Sequence, residues 1–152
     1  YMVLAEQGFA YSSSVAPIAH DHYGWREAPR FAFKPLPWAD IIEIPVTTAL
    51  FGGKRLAAGG GGFFRVLPYA FSRWAIRQVN QRDGRPAVFY FHPWEIDHAQ
   101  PRIPGISLKT RFRHYVNIQR NERKLDRLLS DFRWDRMDKL FLNPSPREVS
   151  VA

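Results

Sequence analysis

The run VFYFHPWEID sets an imidazole, His92, at the end of an apolar stretch, with Trp94, Glu95 and Asp97 just beyond it. Imidazole titrates near neutral pH, so His92 can serve as a general acid or base. Glu95 or Asp97 could hold its second ring nitrogen and so fix the tautomer. His20-Asp21-His22 puts two imidazoles on one side of an extended segment, the start of a metal pair that lacks a third ligand of known proximity. Gly59 to Gly62 form a four-glycine run. A phosphate loop would need Gly-Lys-Ser/Thr opening a helix, whereas Phe63-Phe64-Arg65 follows, so tight backbone packing or a flexible rim is the expectation. Gly52-Gly53-Lys54-Arg55 fails the same test. Trp25, Trp38 and Trp94 stand in or beside loops, where an indole can stack on a sugar ring or pack the loop itself. His98 and His114 carry no supporting pattern and read as surface or structural residues.

The elements that must position these groups follow from spacing and breakers. Met2 to Gly8 reads as a helix closed by a glycine cap, and Phe9-Ala10-Tyr11 as a short strand running into Ser12-Ser13-Ser14. Residues 16–40 are irregular, broken by Pro17, Pro29, Pro35 and Pro37. Ile41 to Val46 is β-branched and reads as a strand, with Pro45 marking an edge or an end. Pro68 suits a first helical turn, and Leu67, Phe71, Trp74, Ala75 and Val79 recur at helical spacing up to the turn Asp83-Gly84-Arg85-Pro86. Ala87 to Phe91 is a continuous apolar run, as in a strand covered on both faces. A long loop with Pro93, Pro101, Pro104 and Gly105 follows. Asn117 is placed to cap a helix whose stripe is Ile118, Leu125, Leu128, Leu129 and Phe132. Leu140-Phe141-Leu142 reads as a last short strand, and the tail after Pro144 as frayed. This order of elements predicts an α/β protein with parallel strands, whose chemistry lies at the strands' carboxyl ends. His92 occupies such an end.

The chain has 152 residues, 45% hydrophobic and 15% aromatic, enough for a real core. It contains no cysteine, which excludes disulfide frameworks and thiolate zinc sites. Twenty-two Lys and Arg against 14 Asp and Glu leave a net charge of +8, which suits an anionic partner or a solvated basic surface. The stretch from Arg111 to Arg136 is dense in arginine, but Glu122, Asp126, Asp131 and Asp135 interrupt it, unlike a simple phosphate-binding arm. No nucleic-acid partner is expected. No apolar run approaches the roughly 18 residues of a membrane helix. The chain begins with Tyr1 inside what reads as a helix, and is expected to be a piece of a longer protein. Nothing in the sequence fixes a compartment.

Five stretches in order, FAYSSSVAPIAHDHYG, AGGGGFFRVLPY, GRPAVFYFHPWEID, QPRIPG and FRHYVN, resemble the C-terminal half of a bacterial polysaccharide deacetylase. The resemblance is to the subfamily of exosortase and exopolysaccharide loci (PEP-CTERM systems), and it runs from near residue 1 to about residue 135. It implies the C-terminal part of a distorted (β/α) barrel of the NodB-homology type over residues 1–100. A loop and helix extension of the subfamily would cover 101–140, and a tail 141–152.

The implied activity is removal of acetyl groups from N-acetylhexosamine units of an exopolysaccharide, with a divalent metal, usually zinc, polarising the carbonyl and activating water. Under the resemblance His92 matches the late-strand histidine that protonates the leaving amine. The metal ligands and the catalytic aspartate belong to upstream motifs, so no metal ligand is expected within this segment. His20 and Asp21 match a His-Asp pair of the subfamily at the mouth of the site, and Trp94, Glu95 and Asp97 are expected to support catalysis or substrate binding. The segment alone should be inactive, and half a barrel would leave strand edges open. The alternatives are an O-acetyl esterase or peptidoglycan deacetylase on the same fold, or a non-catalytic basic carbohydrate-binding module. One departure stands out. The family's Tyr-Asp-Ser-Ser segment carries Ser12 here in place of Asp, which removes an expected orienter of His92 unless Glu95, Asp97 or Glu43 takes over.

Overall fold

A computed structural model describes residues 1–20 and 23–142. The tail beyond residue 142 and two members of the His20-Asp21-His22 triplet, Asp21 and His22, lie outside the described residues. The fold is mixed α/β with small sheets, and the described residues form no closed barrel.

Helix α1 (Met2–Glu6) ends as expected near Gly8, whose φ is +77°. Strands β1 (Tyr11–Ser12) and β2 (Ile42–Glu43) pair in parallel, Tyr11 opposite Ile42 and Ser12 opposite Glu43. Both are shorter than the sequence suggests, but backbone bonds carry the parallel course further, from the Val46 amide to the Val15 carbonyl. The segment expected as a strand at 87–91 is extended without a regular ladder. The Thr47 amide donates to Val88 O and the Tyr90 amide to Gly59 O, while the Val88 amide donates to the Thr47 side-chain Oγ1 instead of a backbone carbonyl. A side chain thus takes the place of a ladder partner, and Pro86 contributes no amide. Nor is the segment covered on both faces: Tyr90 and Phe91 are each 40% exposed.

The sequence reading missed a hairpin. β3 (Thr48–Phe51) and β4 (Lys54–Ala57) pair antiparallel, with Phe51 opposite Lys54. Gly52 and Gly53 carry φ of +54° and +76°, the left-handed pair that a two-residue turn needs to match strand twist. Gln78 clips this hairpin to the helical layer: its amide nitrogen donates to Leu50 O and its amide oxygen accepts from Leu50 N.

Helix α2 (Gly61–Val66) starts inside the glycine run, and α3 (Tyr69–Arg77) follows Pro68 and widens into a π turn at Gln78–Arg82. A 3-10 turn spans Pro93–Glu95. The loop expected before residue 117 contains a further helix, α4 (Leu108–Tyr115), with Ser107 as its N-cap: the Ser107 hydroxyl accepts from the Thr110 amide. α5 (Ile118–Asp131) buries Ile118, Asn121, Leu125 and Leu128, so the amphipathic reading holds for most of the stripe, while Leu129 is 52% exposed. Asn117 stands at the N-terminus of α5 but does not cap it. It adopts φ +55° and donates its side-chain amide to Arg65 O. The strand expected at 140–142 is instead the end of helix α6 (Met137–Phe141); three apolar residues alone cannot separate the two.

Phe64, Tyr69, Ile76, Leu125 and Leu128 form the main core, joined by Ala87, Phe89, Ile96 and Phe132. α2, α3 and α5 therefore bury one another, and the segment leading to His92 packs against them. Lys124 strengthens that seam by donating to the carbonyls of Phe64 and Leu67 at the end of α2, where a cation meets the negative end of the helix.

Candidate active site

The His92 turn is fastened from beneath by a carboxylate. Glu95 is 1% exposed; its Oε2 accepts from the His92 amide at 2.9 Å, and its Oε1 accepts from Arg65 Nε at 3.0 Å. The Glu95 amide in turn donates to His92 O. This reciprocal bonding of residues three apart closes the turn as a capping box closes a helix start. Glu95 therefore holds the backbone of His92, contrary to the expectation that it orients the ring. Asp97 does not take that part either. It is exposed, and its carboxylate accepts from the Ala99 amide in a local turn.

Arg65 was not singled out from sequence, because one arginine after a glycine run carries no signal. It is 3% exposed and every arm of its fork is engaged. Beyond Glu95, Nη1 donates to His114 O and Val116 O, and Nη2 to Arg113 O. These carbonyls close α4, where unsatisfied acceptors and the helix dipole attract a cation. Asn121 of α5 donates to Glu95 O, completing the clasp. Residues 101–135 are thereby tied directly to the turn that carries His92.

The glycine run makes this arrangement possible. A Cβ on Gly61 would lie 1.8 Å from Glu95 Oε2, and one on Gly59 would lie 2.2 Å from Val88 O. Tight packing, one of the two roles expected of the run, is what the structure gives it.

Above the clasp the surface is aromatic. The His92 ring meets Tyr90 edge-on at 5.9 Å and lies parallel to Trp94 at 6.1 Å. Trp94 is half-buried, stacked on His114 at 4.5 Å with the Arg65 guanidinium 4.8 Å from its centre. His114 thus takes the structural one of the two roles expected of it. His20 stacks on Tyr23 at 4.0 Å and meets Phe63 edge-on at 6.5 Å. Burial pushes the Tyr90 phenol up from its ordinary pKa, with Tyr23 and Glu95 adding to the effect. The His20 segment and the His92 turn therefore approach one another around the start of α2, and His92 itself is exposed there.

Glu43 answers the question raised by Ser12. It is fully buried and accepts from the amides of Ser14 and Val15 and from the Tyr1 hydroxyl. Its carboxylate fixes the Ser12–Ser14 segment from the neighbouring strand and is spent there, rather than on the His92 ring. Ser12 Oγ pairs with Ser14 Oγ at 2.8 Å. Among the described residues no three His, Asp or Glu side chains gather as a metal would require, so these residues do not by themselves fit a zinc site.

The sequence profile of DUF3473, a domain of unknown function, matches residues 13–142. The chain belongs to the DUF3473 family. That family is associated with polysaccharide deacetylase-related proteins. Comparison with curated proteins and with solved structures gave no match. The DUF3473 region takes in the Ser12–Ser14 segment from Ser13 onward, the glycine run, the His92 turn, and α4 and α5, so the clasp lies wholly within the family's boundaries. Among the described residues of this DUF3473 chain no helix is long and apolar enough to cross a membrane.

Proposed function

We propose that this chain is the C-terminal part of a polysaccharide deacetylase of the NodB-homology type, from the exopolysaccharide (PEP-CTERM) subfamily. It would act on N-acetylhexosamine units, with His92 as the proton donor to the leaving amine. The observation that carries the proposal is the presentation of His92. His92 is exposed at the carboxyl end of an extended segment that bridges Gly60 in parallel, while its backbone is locked by a buried carboxylate. A general acid needs that combination of access and fixed position.

Three further features support the reading. Residues 11–15 and 42–46 run in parallel, and the 87–90 segment makes a parallel bridge from Tyr90 to Gly60, as strands of a (β/α) barrel pair. Among the described residues β1 pairs on one side only, and Met2, Val3 and Phe9 near it are exposed, as a face covered by further strands would be. The exposed Tyr23 and Phe63 beside His20 offer flat faces to a sugar chain. Such enzymes use a divalent metal, usually zinc, and its ligands and a catalytic aspartate would come from sequence outside this chain.

In this reading His92 gives its proton to the departing nitrogen, and Glu95 and Arg65 hold the turn still while it does so. The test is acetate release from N-acetylglucosamine oligomers by the complete gene product and its His92→Ala variant. The expected result is a fall in kcat of about a hundred- to ten-thousandfold with KM little changed. Undiminished activity in the variant removes His92 from the mechanism. Activity only on O-acetylated sugars moves the assignment to an esterase on the same fold.

A further inference from the structure

On a different face, α3, the π turn and α5 enclose an open cleft of about 720 Å³, within the size range of ligand sites. Its floor is built from two rows at helical spacing. Arg73, Arg77 and Gln81 form one, and Trp74 and Arg82, with Gln78 between them, form the other. Arg127 of α5 faces them across the cleft, and no acidic side chain is among its lining residues. Arg73 is held by Asp131 at 3.1 Å, and Arg127 lies over the Tyr69 ring at 4.6 Å. Arg77 and Arg82 are exposed and form no ion pair with any described residue. Trp74 leans on Phe51 and Phe71 yet is 38% exposed. The π turn at Gln78–Arg82 widens the helix where the second row ends, and such widenings recur at functional sites.

We infer that this cleft binds an acidic glycan, with the guanidinium groups taking sugar carboxylates and Trp74 the apolar face of a ring. A guanidinium fork matches a carboxylate in geometry and keeps its charge at all working pH values. Positive charge concentrated in a concave cleft, where Arg77 and Arg82 are left without an acidic partner among the described residues, is the arrangement that gathers an anion. The dimensions disfavour a nucleic-acid strand: Arg73 to Arg82 covers roughly 14 Å of helix, with one exposed indole, whereas strand-binding grooves stack successive bases on several aromatics. The cleft meets the C-terminal half of α5, while the His92 turn meets its N-terminal end through Asn121. The inference does not depend on the chemistry proposed for His92.

The experiment is binding of polygalacturonate to the full-length protein by calorimetry at low and moderate salt, with neutral dextran and oligothymidylate as comparators. The double variant R77Q/R82Q tests the cleft, because neither side chain supports a described contact and the fold should persist; a thermal melt checks this. The expected result is salt-sensitive binding of polygalacturonate, none of dextran, at least tenfold weaker binding in R77Q/R82Q, and unchanged binding in H92A. Equal affinity in R77Q/R82Q, or no binding of polygalacturonate by the intact protein, overturns the inference. Tighter binding of oligothymidylate, lost in the same variant, overturns it in favour of a nucleic-acid site.

Discussion

Gly61 and Glu95 are fitted to each other: the glycine leaves the space that the buried carboxylate fills, and a Cβ there would sit 1.8 Å from Oε2. Gly61→Ala should therefore push Glu95 off the His92 amide or force the start of α2 to move. Overpacking of this kind costs about 1–3 kcal/mol. Chemical denaturation should show that loss. Amide exchange should speed up at His92 if Glu95 is what yields. Gly62, in the same helix, where a Cβ would meet nothing within 4 Å, is the control: Gly62→Ala should cost no stability and leave exchange at His92 unchanged.

Arg65 and Glu95 are 3% and 2% exposed in their side chains, so each is a buried charge that depends on the other. Removing one partner of such a pair costs about 3–5 kcal/mol, because the survivor stays buried without compensation. Arg65→Met should reach that range, since the carbonyls that close α4 lose their donor as well. Glu95→Gln should cost less, because its amide oxygen can still accept from His92 or Arg65. A double-mutant cycle read by urea unfolding should give a coupling of about 0.5–3 kcal/mol. Strictly additive single effects would show that the pair does not act as a unit.

Much of this architecture could be read from residue types, and the misses have physical causes. α3 and α5 are legible because helical periodicity agrees with the side chains they bury, and α1 because Gly8 marks its end. Gly52-Gly53 signals the hairpin as a tight turn, a signal that its likeness to the start of a phosphate loop obscures. His92 was legible through its position after an apolar run. Its supports were not, since Arg65, His114 and Asn121 lie 22 to 29 residues away in sequence and meet the turn only through tertiary packing. Glu95 stands out in sequence as a carboxylate near an imidazole, and it reaches the His92 amide instead of the ring. Spacing in sequence cannot say whether a side chain will reach the ring or the backbone.

Tyr69 ties α3 to α5 by donating its hydroxyl hydrogen bond to Asp131 at 2.7 Å, and burial together with that carboxylate pushes its pKa up from 10.0 to about 12. Its folded value thus lies above the unfolded one, so the neutral phenol is the form that folding favours. The stabilisation is fully present below about pH 10 and is lost as pH rises towards about 12, where the folded protein must also ionise the ring. Tyr1, bonded to Glu43 and also raised to about 12, acts in the same direction at the other end of the fold. Unfolding free energies measured from pH 9 to 12 should therefore fall through this window. Tyr69→Phe should be less stable than the parent at pH 8, through the lost bond, yet show a shallower alkaline decline. If the decline keeps its full slope in Tyr69→Phe and in Tyr1→Phe alike, the alkaline loss arises from other groups.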